Sequence, residues 1–216
     1  MKKILEDAYD QGRRVRKFLH SNPSAHFENE KGKRILTIQN IPLKQIFIIT
    51  VTLEPLGHFS TLLGSLQPLG LFLDGEYPWS VYLYDLEIIS KMIKNPSIFL
   101  HYIEQRIESQ QEKTFQFMEE IQLLSWYLSF ANLHPLGLDP KNKSISIVSG
   151  SSSYEQFDNY FHNKGPKPKL NIDNKLLRMI KSLEKKHEFG YTDDVSDILN
   201  SINSNLLNIG ERAKDG

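Results

Sequence analysis

The stretch PWSVYLYDLEIISKMIKNPSIFLHYIEQR, residues 78–106, restricts the fold of this chain more than any other part of it. In an extended conformation Val81 and Leu83 point one way and Tyr82 and Tyr84 the other, which predicts a short strand over 80–84. Asp85 then stands where a carboxylate caps the free N–H groups of a first helical turn. Ile88, Ile89, Met92 and Ile93 recur at helical spacing behind it. Asn95-Pro96 restarts the chain as a second helix, with Asn as N-cap and Pro at the first helical position, where its missing N–H costs nothing. Phe99, Leu100, Ile103 and Ile107 form that helix's apolar stripe, and His101 falls off it, so a solvated His101 is expected. A strand delivering the chain into helices is the signature of an α/β protein.

The segment Ile46–Leu53 is apolar on both faces of an extended chain, which predicts a central strand covered from both sides. Before it, Ile4, Ala8, Val15, Phe18 and Leu19 share one side of a helix from about Lys2 to Leu19, closed by Asn22-Pro23. Phe27 and Ile35–Ile38 flank the charged glycine turn Glu30-Lys31-Gly32-Lys33, a surface hairpin. Leu62, Leu63, Leu66 and Leu69 suggest a short helix that Gly64, Pro68 and Gly70 weaken, and Asp74-Gly75-Glu76 reads as a turn.

Further on, Thr114–Leu133 is helical and apolar nearly all round, so it must be buried or lie in an interface. Ser144–Val148 alternates Ser and Ile like a half-exposed strand. Ser153 is placed to cap a short helix over Tyr154–His162, and Gly165-Pro166-Lys167-Pro168-Lys169 has the composition of a linker. Leu176, Ile180 and Leu183, then Val195, Ile198, Ile202, Leu206 and Ile209, line two helices of a hairpin that needs a cover. The expected organisation is an α/β core over 1–150, a linker with a short helix over 151–169, and a helical hairpin appendage over 170–216. The strands, near 27–38, 46–53, 80–84 and 144–148, would form one small mixed sheet with packed helices.

Composition narrows the function classes. Twenty-six basic residues balance 26 acidic ones, which removes any whole-chain electrostatic case for nucleic acid or anionic membrane and leaves room only for a local basic face. With no cysteine there are no disulfides or thiolate metal sites. No apolar run reaches the roughly 18 residues of a membrane span, and Glu6, Asp7 and Asp10 interrupt any signal-peptide pattern. A cytoplasmic protein without a membrane partner is expected.

The motifs that carry chemistry are few. Ser149–Ser153 lies between a strand and a helix but lacks the Gly-Lys-Ser/Thr ending of a phosphate loop and the bracketing glycines of a nucleophile elbow. The seven histidines never pair at metal-ligand spacing. Asp193, Asp194 and Asp197 suit the dipole of a first helical turn, and Glu184-Lys185-Lys186 reads as a solvated run. One residue stands out. Gln11 falls within the Ile4–Ala8–Val15–Phe18 stripe, either as a core amide satisfied by backbone or as a glutamine beside an active site that the helix flanks. Arg13, Arg14, Arg16 and Lys17 spread over the outer face and one edge of the same helix, solvated or facing phosphates.

The order AYDQG on a helix, an Ile-rich strand ending in VTLEPLG, then PWSVYLYDLEIISKMI and NPSIFLHYIEQR resembles the later part of bacterial nuclease-like proteins of the restriction-endonuclease-like, PD-(D/E)XK superfamily. The resemblance covers about residues 4–130. It implies a partial restriction-endonuclease-like core. In that superfamily a strand-borne Asp and a Glu-x-Lys pair bind Mg²⁺ and activate water to cut a phosphodiester. A helix just after them often carries a Gln, the place that Gln11 fits. No strand of this chain bears those carboxylates and lysine, which the resemblance would put before Met1. The chain is then expected to be nuclease-like, associated with DNA through Gln11, Arg14, Arg13 and Lys17, and without catalytic or metal-binding residues of its own. Mg²⁺ would enter only with the missing catalytic part. Such a core would also lack strands beside Ile46–Leu53, leaving an edge open to association. The alternative is a non-enzymatic module whose apolar helix 114–133 and C-terminal hairpin dock a second protein chain or a second copy.

Overall fold

The computed structural model describes residues 2–39, 46–70, 72, 76–111, 118–133, 152–186, 188 and 190–212. Helix α1 (Lys2–Ser21) leads into strands β1 (Ser24–Glu28) and β2 (Arg34–Gln39), followed by β3 (Ile49–Thr52), two 3-10 helices (Gly57–Ser60 and Leu63–Leu69) and β4 (Trp79–Tyr82). Helices α2 (Leu83–Met92), α3 (Pro96–Gln111), α4 (Glu120–Phe130), α5 (Ser152–Phe161), α6 (Asn174–Lys186) and α7 (Tyr191–Arg212) complete the chain. The α/β class stands. Among the described residues, however, the strands make two separate two-stranded sheets: β1 and β2 antiparallel, β3 and β4 parallel. The expected strand Ser144–Val148 and the turn at Asp74-Gly75 lie outside the described residues.

The hairpin forms where its turn residues demand. The Asn29 Oδ1 accepts the N–H of Lys31 and of Lys33, each at 3.0 Å, and Gly32 takes the left-handed φ of +70° that closes the turn. Strand β3 departs from expectation. It is not covered on both sides: Ile49, Val51 and Leu53 are 38%, 44% and 79% exposed, while Thr50 and Ile48 are buried. A run apolar at both parities needs two covering layers to bury it. Here Ile49, Val51 and Leu53 share one parity and are exposed, so that face of the strand stays open, and among the described strands β3 pairs only with β4.

Helix α1 turns a different face inward from the expected one. Leu5, Tyr9 and Leu19 are buried with Gly12 between them, whereas Val15 and Phe18 are about half exposed and Gln11 is exposed. Gly12 sets this rotation. A Cβ there would stand 2.6 Å from Cγ2 of Ile48, so only glycine lets the helix approach so closely. Tyr9 packs edge-on against Phe72, 5.1 Å between ring centres, in a small cluster with Leu56, Leu63 and Tyr77.

The main core gathers Trp79 and Val81 of β4 with Ile89, Ile98, Tyr102, Ile103, Leu124 and Tyr127, and it takes in Phe157, Ile180, Val195 and Leu199 as well. Residues 151–169 and 170–216 thus contribute side chains to the same buried cluster as β4. The all-round apolar helix is consumed here: Ile121, Leu123, Leu124, Tyr127 and Leu128 of α4 are buried within this chain. In the C-terminal hairpin Ile180, Val195 and Leu199 are buried in the same cluster, with α7 packed along α3, while the side chains of Ile202, Leu206 and Ile209 lie outside the described residues.

Four local expectations change. Tyr82 and not Asp85 occupies the N-cap of α2, and Asp85 sits in its first turn. Helix α3 does begin at Pro96, but its cap is tertiary: Glu184 accepts the Ser97 N–H at 3.2 Å and the Asn95 side-chain amide at 2.9 Å. Glu184 is therefore no solvated charge. Ser153 lies inside α5, which starts at Ser152. His101 is wholly buried, with Nδ1 at 2.8 Å from the Tyr127 hydroxyl and Nε2 at 3.1 Å from Asn200 Oδ1. A polar ring is tolerated at that depth because both nitrogens have partners.

Candidate functional site

The rotation of α1 about Gly12 decides what its outer face presents. Residues 7, 11 and 14 recur at three to four positions, with 10 and 17 beside them, and so lie along one side of the helix. They line an open cleft of about 750 Å³ bounded by Asp7, Ala8, Asp10, Gln11, Arg13, Arg14 and Lys17. All four residues singled out in the sequence, Gln11, Arg13, Arg14 and Lys17, thus meet in one place. Gln11 arrives there as an exposed side chain and not as a core amide. Residues 1–39 carry nine Lys and Arg against five Asp and Glu, so the neutral whole conceals a basic amino-terminal part.

The cations of this face are not equivalent. Arg16 donates to Glu76 Oε2 at 3.3 Å, and Arg13 Nε stands 3.9 Å from the same atom. Arg13 is also 3.6 Å from Asp10, and its guanidinium lies 5.7 Å above the Tyr9 ring. Glu76 is held in turn by Tyr9, whose hydroxyl donates to the Glu76 carbonyl at 3.1 Å. Arg14 and Lys17, by contrast, are exposed and make no ion pair with a described residue. Glu76 was not legible as part of this site, because its sequence context showed only a turn.

The carboxylates of this cleft are Asp7 and Asp10, the latter paired with Arg13, and among the described residues no three His, Asp or Glu side chains are placed to hold a metal ion. A second, smaller cleft of about 220 Å³ lies between α3 and α7, lined by Glu104, Gln105, Glu108, Asp193, Ser196, Asp197 and Asn200. Of its acidic side chains, Asp193 stands in the first turn of α7, where the helix dipole already favours a carboxylate.

Carboxylates also converge behind α2. Asp85 lies close to Glu119 and Glu120, and burial followed by those two charges pushes its carboxyl up to about 6. The Tyr154 hydroxyl donates to Glu119 Oε2, and burial together with that bond raises its pKa. Glu119 caps α4 in a reciprocal box with Gln122. The Tyr154–Glu119 bond fastens α5 to the start of α4.

Comparison with protein-family models, with curated proteins and with solved structures finds no match. Among the described residues no helix is long and apolar enough to cross a membrane.

Proposed function

We propose that this chain is a nuclease-like, nucleic-acid-associated protein that holds a phosphate backbone against α1 and does not itself cut it. The observation that carries this reading is the shared cleft of Gln11, Arg13, Arg14 and Lys17, in which Arg14 and Lys17 are exposed and make no ion pair with a described residue. Two cations and an amide spaced three residues apart on one helix can donate to successive phosphate oxygens without reading bases.

The test is binding of the purified chain to a labelled DNA duplex and to a single-stranded RNA across a salt series. Affinity should fall steeply as salt rises, and Arg14→Gln with Lys17→Gln should weaken it. Metal-dependent cutting that co-purifies with the chain would overturn the non-cutting part of the proposal.

A second reading, a module that docks another protein chain or a second copy, loses part of its first motive, since Ile121, Leu124 and Tyr127 of α4 and Ile180, Val195 and Leu199 of the hairpin are buried within this chain. It keeps another in the exposed Ile49 and Val51 of β3 and Leu53 just beyond it. A monodisperse monomer at tens of micromolar that binds DNA would decide against it.

A further inference from the structure

Helix α6 is anchored by one side. Ile180 is wholly buried in the main cluster, and Leu176, Leu177 and Leu183 pack against it. Both acidic residues of segment 170–186 are engaged at helix ends. Asp173 Oδ1 accepts the Lys175 N–H at 2.6 Å where α6 begins, and Glu184 accepts from Ser97 and Asn95 where α3 begins. The five cations of α6, Lys175, Arg178, Lys181, Lys185 and Lys186, are all exposed. None of the five makes an ion pair with a described residue.

The helix itself brings these cations together. At about 100° per residue, Arg178, Lys181 and Lys185 fall within roughly 60° of one another and away from Ile180, with Lys175 and Lys186 flanking them. Helical positions three and four apart stand about 5–6 Å apart at their Cβ atoms. From 175 to 185 the face runs about 15 Å along the axis, at about 1.5 Å per residue. Helix stability does not account for this row. Lys185 and Lys186 suit the dipole in the last turn, but Lys175 stands in the first, where the dipole disfavours a cation, and Arg178 and Lys181 lie between. Like charges at these spacings destabilise a helix, and Glu184, four residues after Ile180, lies on the inner side and not among them.

We infer that the outer face of α6, Arg178, Lys181 and Lys185 flanked by Lys175 and Lys186, is a second contact for the phosphate backbone of a nucleic acid. The inference rests on the nucleic-acid reading of α1 and adds a surface to it. A straight row of cations complements a polyanion whose charges repeat along a line, and the bound phosphates relieve the repulsion within the row. A bilayer surface fits less well. An interfacial helix sinks a free apolar face among the lipids, whereas the apolar side of α6 is packed into the core and Met179 is its one exposed large apolar side chain. Ammonium groups meet phosphates as point charges and Arg178 can bridge two oxygens, which positions a backbone without reading bases.

The experiment compares the full chain, Arg178→Gln/Lys181→Gln/Lys185→Gln, the charge-keeping Arg178→Lys/Lys181→Arg/Lys185→Arg, the single Lys181→Gln, and Arg14→Gln/Lys17→Gln. Each is titrated with a labelled DNA duplex and a labelled single-stranded RNA through a salt series, with helical circular dichroism and the melting midpoint recorded alongside. The three positions are exposed and glutamine is a good helix former, so the Gln triple should melt no lower than the unaltered chain. On the tighter-bound of the two probes it should bind at least about tenfold more weakly at about 0.1 M salt, with the slope of log affinity against log salt shallower by about 2–3. The charge-keeping triple should retain both, and Lys181→Gln should move the slope by about 0.7–0.9. If the Gln triple keeps the wild-type affinity and slope while Arg14→Gln/Lys17→Gln loses them, this inference is wrong and the α1 reading survives. If the Gln triple loses them and Arg14→Gln/Lys17→Gln does not, α6 is the contact and the α1 reading fails. If the unaltered chain binds neither probe at low salt, both fail. Polyglutamate that displaces the nucleic acid from the unaltered chain at equal charge, or phosphatidylserine vesicles that bind α6 more tightly, would overturn the choice of partner.

Discussion

Arg106 Nε lies 3.0 Å from Glu120 Oε2, and each side chain is 1% exposed. The pair ties α3 to α4, and the same carboxylate also accepts from Trp79 Nε1 at 3.0 Å and the Tyr102 hydroxyl at 2.8 Å. Arg106 reaches on to the Ser60 carbonyl at 3.0 Å. Glu120→Ala would leave a buried guanidinium, an indole N–H and a phenol without their acceptor. The expected loss is about 3–5 kcal/mol, read from the shift in the urea unfolding midpoint. Replacing both charges, with Arg106→Met and Glu120→Leu, should recover the part due to the buried unpaired charge, while Trp79 and Tyr102 still lack their acceptor.

Gly12 and Ile48 make a second test. A methyl at Gly12 meets Ile48 Cγ2, part of a β-branched side chain with little rotameric freedom. Gly12→Ala should destabilise by about 1–3 kcal/mol through overpacking, against a helix-propensity gain of up to about 1 kcal/mol. In an Ile48→Ala background the clash is gone, and the same change should be neutral or stabilising. A double-mutant cycle in urea measures the coupling.

Asp85 links stability to pH. Its carboxyl is raised from 3.8 to about 6 by burial and by Glu120 and Glu119, which outweigh the favourable dipole at the start of α2. The folded protein thus holds a proton that the unfolded chain releases. On this group's account stability is lowest above pH 6, rises as pH falls through 6, and levels off near 4. Asp85→Asn should raise the urea midpoint at pH 8 and flatten the difference between pH 4 and pH 7. Partial exposure of Asp85 keeps the effect smaller than the full shift implies.

Local patterns in the sequence carried the helices well. Asn95-Pro96 marks the start of α3, the hairpin follows from Asn29 to Lys33, and Ile180 sits on the inner face of α6 as its spacing requires. What failed depended on distant partners. His101 looked solvated because Tyr127 and Asn200, which satisfy its ring, come from α4 and α7. Glu184 looked like surface charge because Asn95, which it holds at the start of α3, lies 89 residues earlier along the chain. Strand β3 looked central because apolar residues at both parities state a capacity for burial and not the presence of a covering layer. At the candidate site the residue types on α1 were legible, while the helix's rotation was not. That rotation depends on Gly12 against Ile48, a contact invisible in either segment alone.

Glu76 offers the sharpest test of how that site works. Its carboxylate holds Arg16 at 3.3 Å and Arg13 at 3.9 Å, so it competes with any phosphate for the same two guanidinium groups. Both pairs are partly exposed and contribute no more than about 1 kcal/mol to folding, so Glu76→Gln should leave the melting midpoint nearly unchanged. If α1 holds nucleic acid, the variant should bind a DNA duplex several-fold more tightly at low salt. Its salt slope should steepen by about 0.9 for each arginine that gains a phosphate. An affinity that stays level, with Arg14→Gln and Lys17→Gln still weakening it, would confine the contact to those two side chains and assign Arg13 and Arg16 to holding α1 against the rest of the fold.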